Sequence, residues 1–90
     1  MSDEDLFRRA IIERLMCDLE VDIAALADRH GFQTDEVDLR GVDGLVAQGV
    51  CRRDGFTITV PEANRRLVRL VCAEFDTYLQ GQGSRYSLAV

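Results

Sequence analysis

The chain has 90 residues, a net charge of −5 and a globular share of apolar residues, with one proline and seven glycines; that fits one folded domain with a single core and argues against disorder. No apolar run nears the ~18 residues that span a bilayer, and the acidic start "MSDED" lacks the basic and apolar regions of a signal peptide, so the expected setting is cytoplasmic with no membrane contact. The negative charge makes nucleic acid a poor default partner, because such binding rests on neutralising phosphates.

Ser2 is placed to cap a first helix over residues 3–17, with Asp3, Glu4 and Asp5 at its positive end. Phe7, Ile11 and Leu15 form one apolar row and Leu6, Ala10 and Cys17 a second beside it. This arc is wider than a helix with one core-facing stripe needs, which suggests that part of it packs on something else. Leu19, Glu20 and Val21 read as a short extended link. Asp22 then caps a second helix that buries Ile23, Leu26 and Ala27 and stops at Gly31. Thr34 is expected to cap a third helix carrying Val37, Val42, Leu45 and Val46, in which Gly41 and Gly44 admit a neighbouring backbone.

In "VCRRDGFTITV" the pair Asp54 and Gly55 predicts a type I′ hairpin turn. Phe56, Ile58 and Val60 alternate with Thr57 and Thr59, as in a strand with one buried face. Pro61 fits the first turn of a last helix. Leu67, Val68, Val71, Cys72, Phe75, Tyr78 and Leu79 share its apolar side, and Glu62, Arg65, Arg66, Arg69 and Asp76 share the other. Gly81 and Gly83 end it. The fold class expected is mainly α with a small β-hairpin, in the order of a winged-helix-like domain over residues 1–80, followed by a tail over 81–90.

Chemistry is sparse. "RLMCDLEVD" at 14–22 joins a thiol to three carboxylates, but hard carboxylates suit calcium or magnesium and a thiolate suits zinc or copper. The bland assignment is stronger: Cys17 in the core, Asp22 a cap, Asp18 and Glu20 solvated. The cysteines, Cys17, Cys51 and Cys72, are odd in number and far apart, unlike a disulfide framework or a close-paired metal site. His30 is the single histidine, at a helix end where a cation favours the dipole. No catalytic or metal-binding residue is assigned.

Arg65, Arg66 and Arg69 form a basic strip able to hold carboxylates. Its plain alternative is a solvated face with Glu62 and Arg66 as an i,i+4 pair. DNA binding, which the element order raises, is opposed by Asp35, Glu36, Asp38 and Asp43 on the third helix against a single Arg40. Arg52 and Arg53 in the hairpin do not offset that charge.

"IIERLMCDLEVD" at 11–22, "DGLVAQGV" at 43–50, "RRLVRLVCAEFDTYL" at 65–79 and the ending "SRYSLAV" together resemble the C-terminal domain of oxygen-independent coproporphyrinogen III oxidase, a radical S-adenosylmethionine family of haem biosynthesis. The resemblance implies a non-catalytic accessory domain that packs on a radical SAM catalytic domain, in cis or in trans, and helps to cover the substrate. It further implies a parent oxidoreductase with a [4Fe–4S] cluster and S-adenosylmethionine, neither held by this chain. Arg65, Arg69, Arg85 and Tyr86 become the candidates for interdomain or ligand contact. A free-standing interaction or regulatory protein is the alternative, with DNA binding behind it. Two positions depart from the family pattern: Asn64 stands where glycine is usual, and Leu88 where a basic residue is common.

Overall fold

The computed structural model describes residues 2–76. The expected tail over 81–90, with Arg85 and Tyr86, the boundary at residue 80, and Tyr78 and Leu79 lie outside the described residues.

Helix α1 spans Asp3–Asp18. Its start is satisfied as expected, with the Ser2 hydroxyl accepting a hydrogen bond from the Asp5 N–H at 3.1 Å. Phe7, Ile11 and Leu15 are buried, but Cys17 is exposed, which corrects its assignment to the core. The reason is angular: at about 100° per residue, Cys17 lies some 200° round the helix from Leu15 and faces away from the core.

Leu19 closes α1 in the left-handed region, φ 59° and ψ 21°. The extended link therefore begins one residue later than expected. A non-glycine residue there costs about 1–2 kcal/mol. Burial of its side chain, only 6% exposed, offsets this with about 1.5–3 kcal/mol. The Leu19 N–H donates to the Leu15 carbonyl at 2.9 Å, and its carbonyl accepts from the Val60 N–H at 2.7 Å.

Strand β1, Glu20–Asp22, runs straight into helix α2, Ile23–His30. Asp22 caps α2 through the Ala25 N–H at 3.1 Å, and Gly31, at φ 81°, ends it. Beyond α2, Phe32 stacks on Phe7 of α1 with ring centroids 4.7 Å apart.

The third helix is shorter than expected. Thr34 is part of a 3₁₀ turn, Thr34–Glu36, and caps nothing. Val37 is extended, and helix α3 spans Arg40–Ala47. The Asp38 carboxylate accepts from the Arg40 N–H at 2.9 Å, so a short acidic side chain competes for the backbone and breaks the helix into two pieces. Val42 is buried, with Val37, Leu45 and Val46 packed partly against the core. At Gly41 the room is taken by the Glu74 carboxylate, a side chain and not the backbone expected; Gly44 faces open space.

Strands β2, Arg52–Asp54, and β3, Thr57–Thr59, form the hairpin. Asp54 pairs with Thr57, so the turn's central residues are Gly55 and Phe56. Only Gly55 has positive φ, 62°. That is the type II′ pattern, with glycine first, and it replaces the type I′ turn expected. Ile58 and Val60 point inward. β1 pairs antiparallel with the far side of β3, giving a three-stranded sheet of order β1-β3-β2.

Pro61 leads into a 3₁₀ segment, Glu62–Leu67, broken at Asn64 (φ −106°, ψ 19°). The helix proper, α4, covers 68–76, so it starts later than the sequence suggests. The Asn64 amide donates to the carbonyls of Gly49 at 3.0 Å and Val50 at 3.1 Å. That pulls the segment out of α-helical geometry and ties it to the end of α3. Val68, Val71, Cys72 and Phe75 of α4 complete the core. The result is a mainly helical domain with a small antiparallel sheet, and none of the described residues is a buried polar or charged one.

Candidate functional site

The stretch that joins Cys17 to three carboxylates lines two open grooves at the junction of α1, β1 and α2. One, of about 220 Å³, is lined by Arg14, Asp18, Glu20, Asp22 and Arg29 among others. The other, of about 280 Å³, lies between α1 and α2 and includes Ala10, Glu13, Cys17, Leu26 and His30. Arg14, Asp18, Glu20 and Asp22 are already engaged. Arg14 pairs with Asp18 at 3.1 Å, Asp22 caps α2, and Glu20 accepts from the Thr59 hydroxyl at 3.3 Å. No group of three or more possible metal ligands comes together among the described residues.

The other thiols are buried. Burial pushes the Cys51 thiol up, and the negative charge of Asp43 adds to it. Burial also raises Cys72, against a smaller lowering from a backbone hydrogen bond. Both are thus poorer nucleophiles and ligands than a free thiol. A disulfide-exchange reagent at pH 8 is expected to modify Cys17 at once, and Cys51 and Cys72 only as the domain unfolds. Equal rates for all three by peptide mass mapping would show that the core opens freely. His30 is half-buried, with its ring 5.9 Å from that of Phe7. It serves packing between α1 and α2.

The basic strip is less unified than its spacing implies. Arg65 lies in the 3₁₀ segment and pairs with Glu62 at 2.7 Å. The expected Glu62–Arg66 pair does not form, because at three residues per turn it is the i+3 side chain that stands over Glu62. Arg66 and Arg69 are exposed and have no ion pair among the described residues. Arg65 and Arg69 are both at the surface, and nothing within the described residues brings them together around a ligand. Arg85 and Tyr86 lie outside the described residues.

Two residues that order the surface were not legible as such. Arg53 is held from three sides: both Asp43 oxygens at 2.9 Å, the Gly55 carbonyl at 2.7 Å, and the Phe56 ring, whose centroid is 5.7 Å from the guanidinium carbon. The hairpin arginine nearest α3 is thereby turned onto the protein and away from any phosphate. Asn64 is the second. Its signal in the sequence was its place at a position where a glycine is usual, which marked a change without saying what it did.

The sequence profile of the HemN C-terminal domain matches residues 1–67. Over all of this chain, the oxygen-independent coproporphyrinogen III oxidase of Bradyrhizobium diazoefficiens is 35% identical, the match covering 20% of that protein. The enzyme of the same name from Synechocystis sp. is 36% identical over 94% of this chain and 20% of its own length. That of Escherichia coli K12 is 31% identical over 89% of this chain and 18% of its own length. This chain thus spans about a fifth of the curated relatives it matches, and no solved structure gives a significant match. With so continuous a match to one named domain, the chain belongs to the HemN C-terminal domain family and is homologous to the C-terminal part of oxygen-independent coproporphyrinogen III oxidases.

Proposed function

We propose that this chain is a winged-helix-like accessory domain that performs no chemistry itself, packs on a radical SAM catalytic domain in cis or in trans, and helps to cover coproporphyrinogen III. The carrying observation is the match of this whole chain to a fifth of a relative named for that oxidase. The element order helix, strand, helix, helix, hairpin, helix supports the winged-helix part of the reading. No helix among the described residues is long and apolar enough to cross a membrane, and a cytoplasmic setting agrees with haem biosynthesis as the implied pathway.

A [4Fe–4S] cluster does not fit the described part of this chain. Two of its three thiols are buried, and no group of three or more possible metal ligands forms among the described residues. The cluster and S-adenosylmethionine therefore belong to the catalytic domain on this reading. Anaerobic treatment of the purified chain with iron and sulfide is expected to leave no broad visible absorption. Stoichiometric iron after desalting would sink that expectation.

Nucleic acid is a poor partner on the same grounds as before, now with added weight. Asp43 of α3 pairs with Arg53 of the hairpin, so that pair leaves no net positive charge where a winged helix would meet phosphates.

The role is tested by a chimera in which residues 1–90 replace the matching segment of the full-length Escherichia coli enzyme. Expected is conversion of coproporphyrinogen III well above that of the enzyme lacking the segment, at equal cluster absorbance. A chimera with full cluster absorbance and no gain over the shortened enzyme favours the free-standing interaction protein instead.

A further inference from the structure

Helix α1 carries apolar side chains on two faces. Phe7, Ile11 and Leu15 face the core. Leu6, Ala10 and Cys17 form the second row, turned from the first by about 120° at 3.6 residues per turn. Leu6 is 42% exposed, Cys17 is exposed and Ala10 is half-buried. The last helix covers the other flank of α1: the Cys72 sulfur lies 4.0 Å from the Ile12 carbonyl, and Asp76 pairs with Arg8 at 3.0 Å. Ile12 and Arg8 point roughly 140–180° away from the second row.

The row opens on the groove of about 280 Å³ between α1 and α2. The rim of that groove carries both signs, Glu13 and Asp18 against Arg14 and Arg29. Mixed charge around an apolar strip suits a protein surface better than a polyanion or an anionic membrane. The matched stretch is 20% of the Bradyrhizobium relative, and its family is named as a C-terminal domain. In such a protein the preceding chain joins at the start of α1, one turn from Leu6, so the larger part of the molecule arrives beside this row.

We propose that the Leu6, Ala10 and Cys17 row of α1, with the groove between α1 and α2, is the docking surface for the catalytic part that precedes this domain in its relatives. The proposal rests on the accessory-domain reading above and names the face that reading leaves open. Side chains of the catalytic part lie along the row, and one enters the groove beside Leu26 and His30. The basic strip and the hairpin, on other elements, are then left at the surface.

Hydroxyl-radical footprinting decides it, with the 90-residue chain compared against the full-length chimera. Rates are read by peptide mass spectrometry at Leu6, Cys17 and Leu70. Leu70 is exposed on α4 and points about 200° away from Cys72, hence away from α1. Expected is a several-fold slowing at Leu6 and Cys17 in the chimera with Leu70 unchanged. A Leu6→Arg chimera should return Cys17 to the rate of the free chain, with circular dichroism unaltered. If Leu70 is slowed and the α1 residues are not, this face is wrong while the accessory reading stands. If all three keep their free-chain rates, the domain does not dock and both readings fail.

Discussion

Phe75→Ala is expected to destabilise the domain by about 3–5 kcal/mol, the usual loss for a large core aromatic cut to alanine. Phe75 is 2% exposed and belongs to the α4 face that joins the core. No described polar group is buried to be left without a partner, so the loss is one of apolar contact and cavity. A domain of ordinary stability holds only about 5–15 kcal/mol in total, so the loss is a large share of what keeps this one folded. Arg66→Ala, on the exposed side, should stay within roughly 0.5 kcal/mol. Thermal melts of the two variants check this, and equal shifts would mean that α4 packs the other way round.

Phe7→Ala should be comparably severe, at about 3–5 kcal/mol. Phe7 is as deeply buried and lies stacked on Phe32 at an interplanar angle of 12°. An aromatic pair adds about 0.5–1.5 kcal/mol beyond its buried area. The ring also meets His30, so one side chain of α1 holds both the end of α2 and the loop after it. Chemical denaturation measures the loss. The imidazole proton resonances of His30 should also move, since they lose the ring current of Phe7. A stability change without that movement would place His30 elsewhere.

Sequence periodicity located the core well because it reports which side chains face inward. The rows of Phe7, Ile11 and Leu15, of Ile58 and Val60, and of Val68, Val71, Cys72 and Phe75 are all buried. Local competition for the backbone was harder to read. Asp38 breaks the third helix, and Asn64 draws the start of the last one into a 3₁₀ segment. Each effect depends on where one short polar side chain points, which spacing does not encode. The hairpin was found but its turn shifted by one residue, because "DG" signals a turn whether glycine is first or second in it. Cys17 was misplaced by a composition argument, that cysteines tend to be buried, where the angular position on α1 pointed outward. The candidate site fared unevenly. The wide apolar arc of α1 was visible in the sequence, whereas the capture of Arg53 by Asp43 depended on the hairpin meeting α3.

The place of β3 in the middle of the sheet bears on how the chain assembles as it is made. β3 reaches β2 through a two-residue turn, but its contact with β1 joins Thr59 to Glu20, 39 residues apart. Closing that longer loop costs about 2 kcal/mol more in chain entropy than closing the hairpin. The edge of β1 therefore has no strand to pair with until Thr59 has left the ribosome. Helices α1 to α3 are synthesised before the strand that locks them, and the N-terminal half waits on the C-terminal half for its sheet.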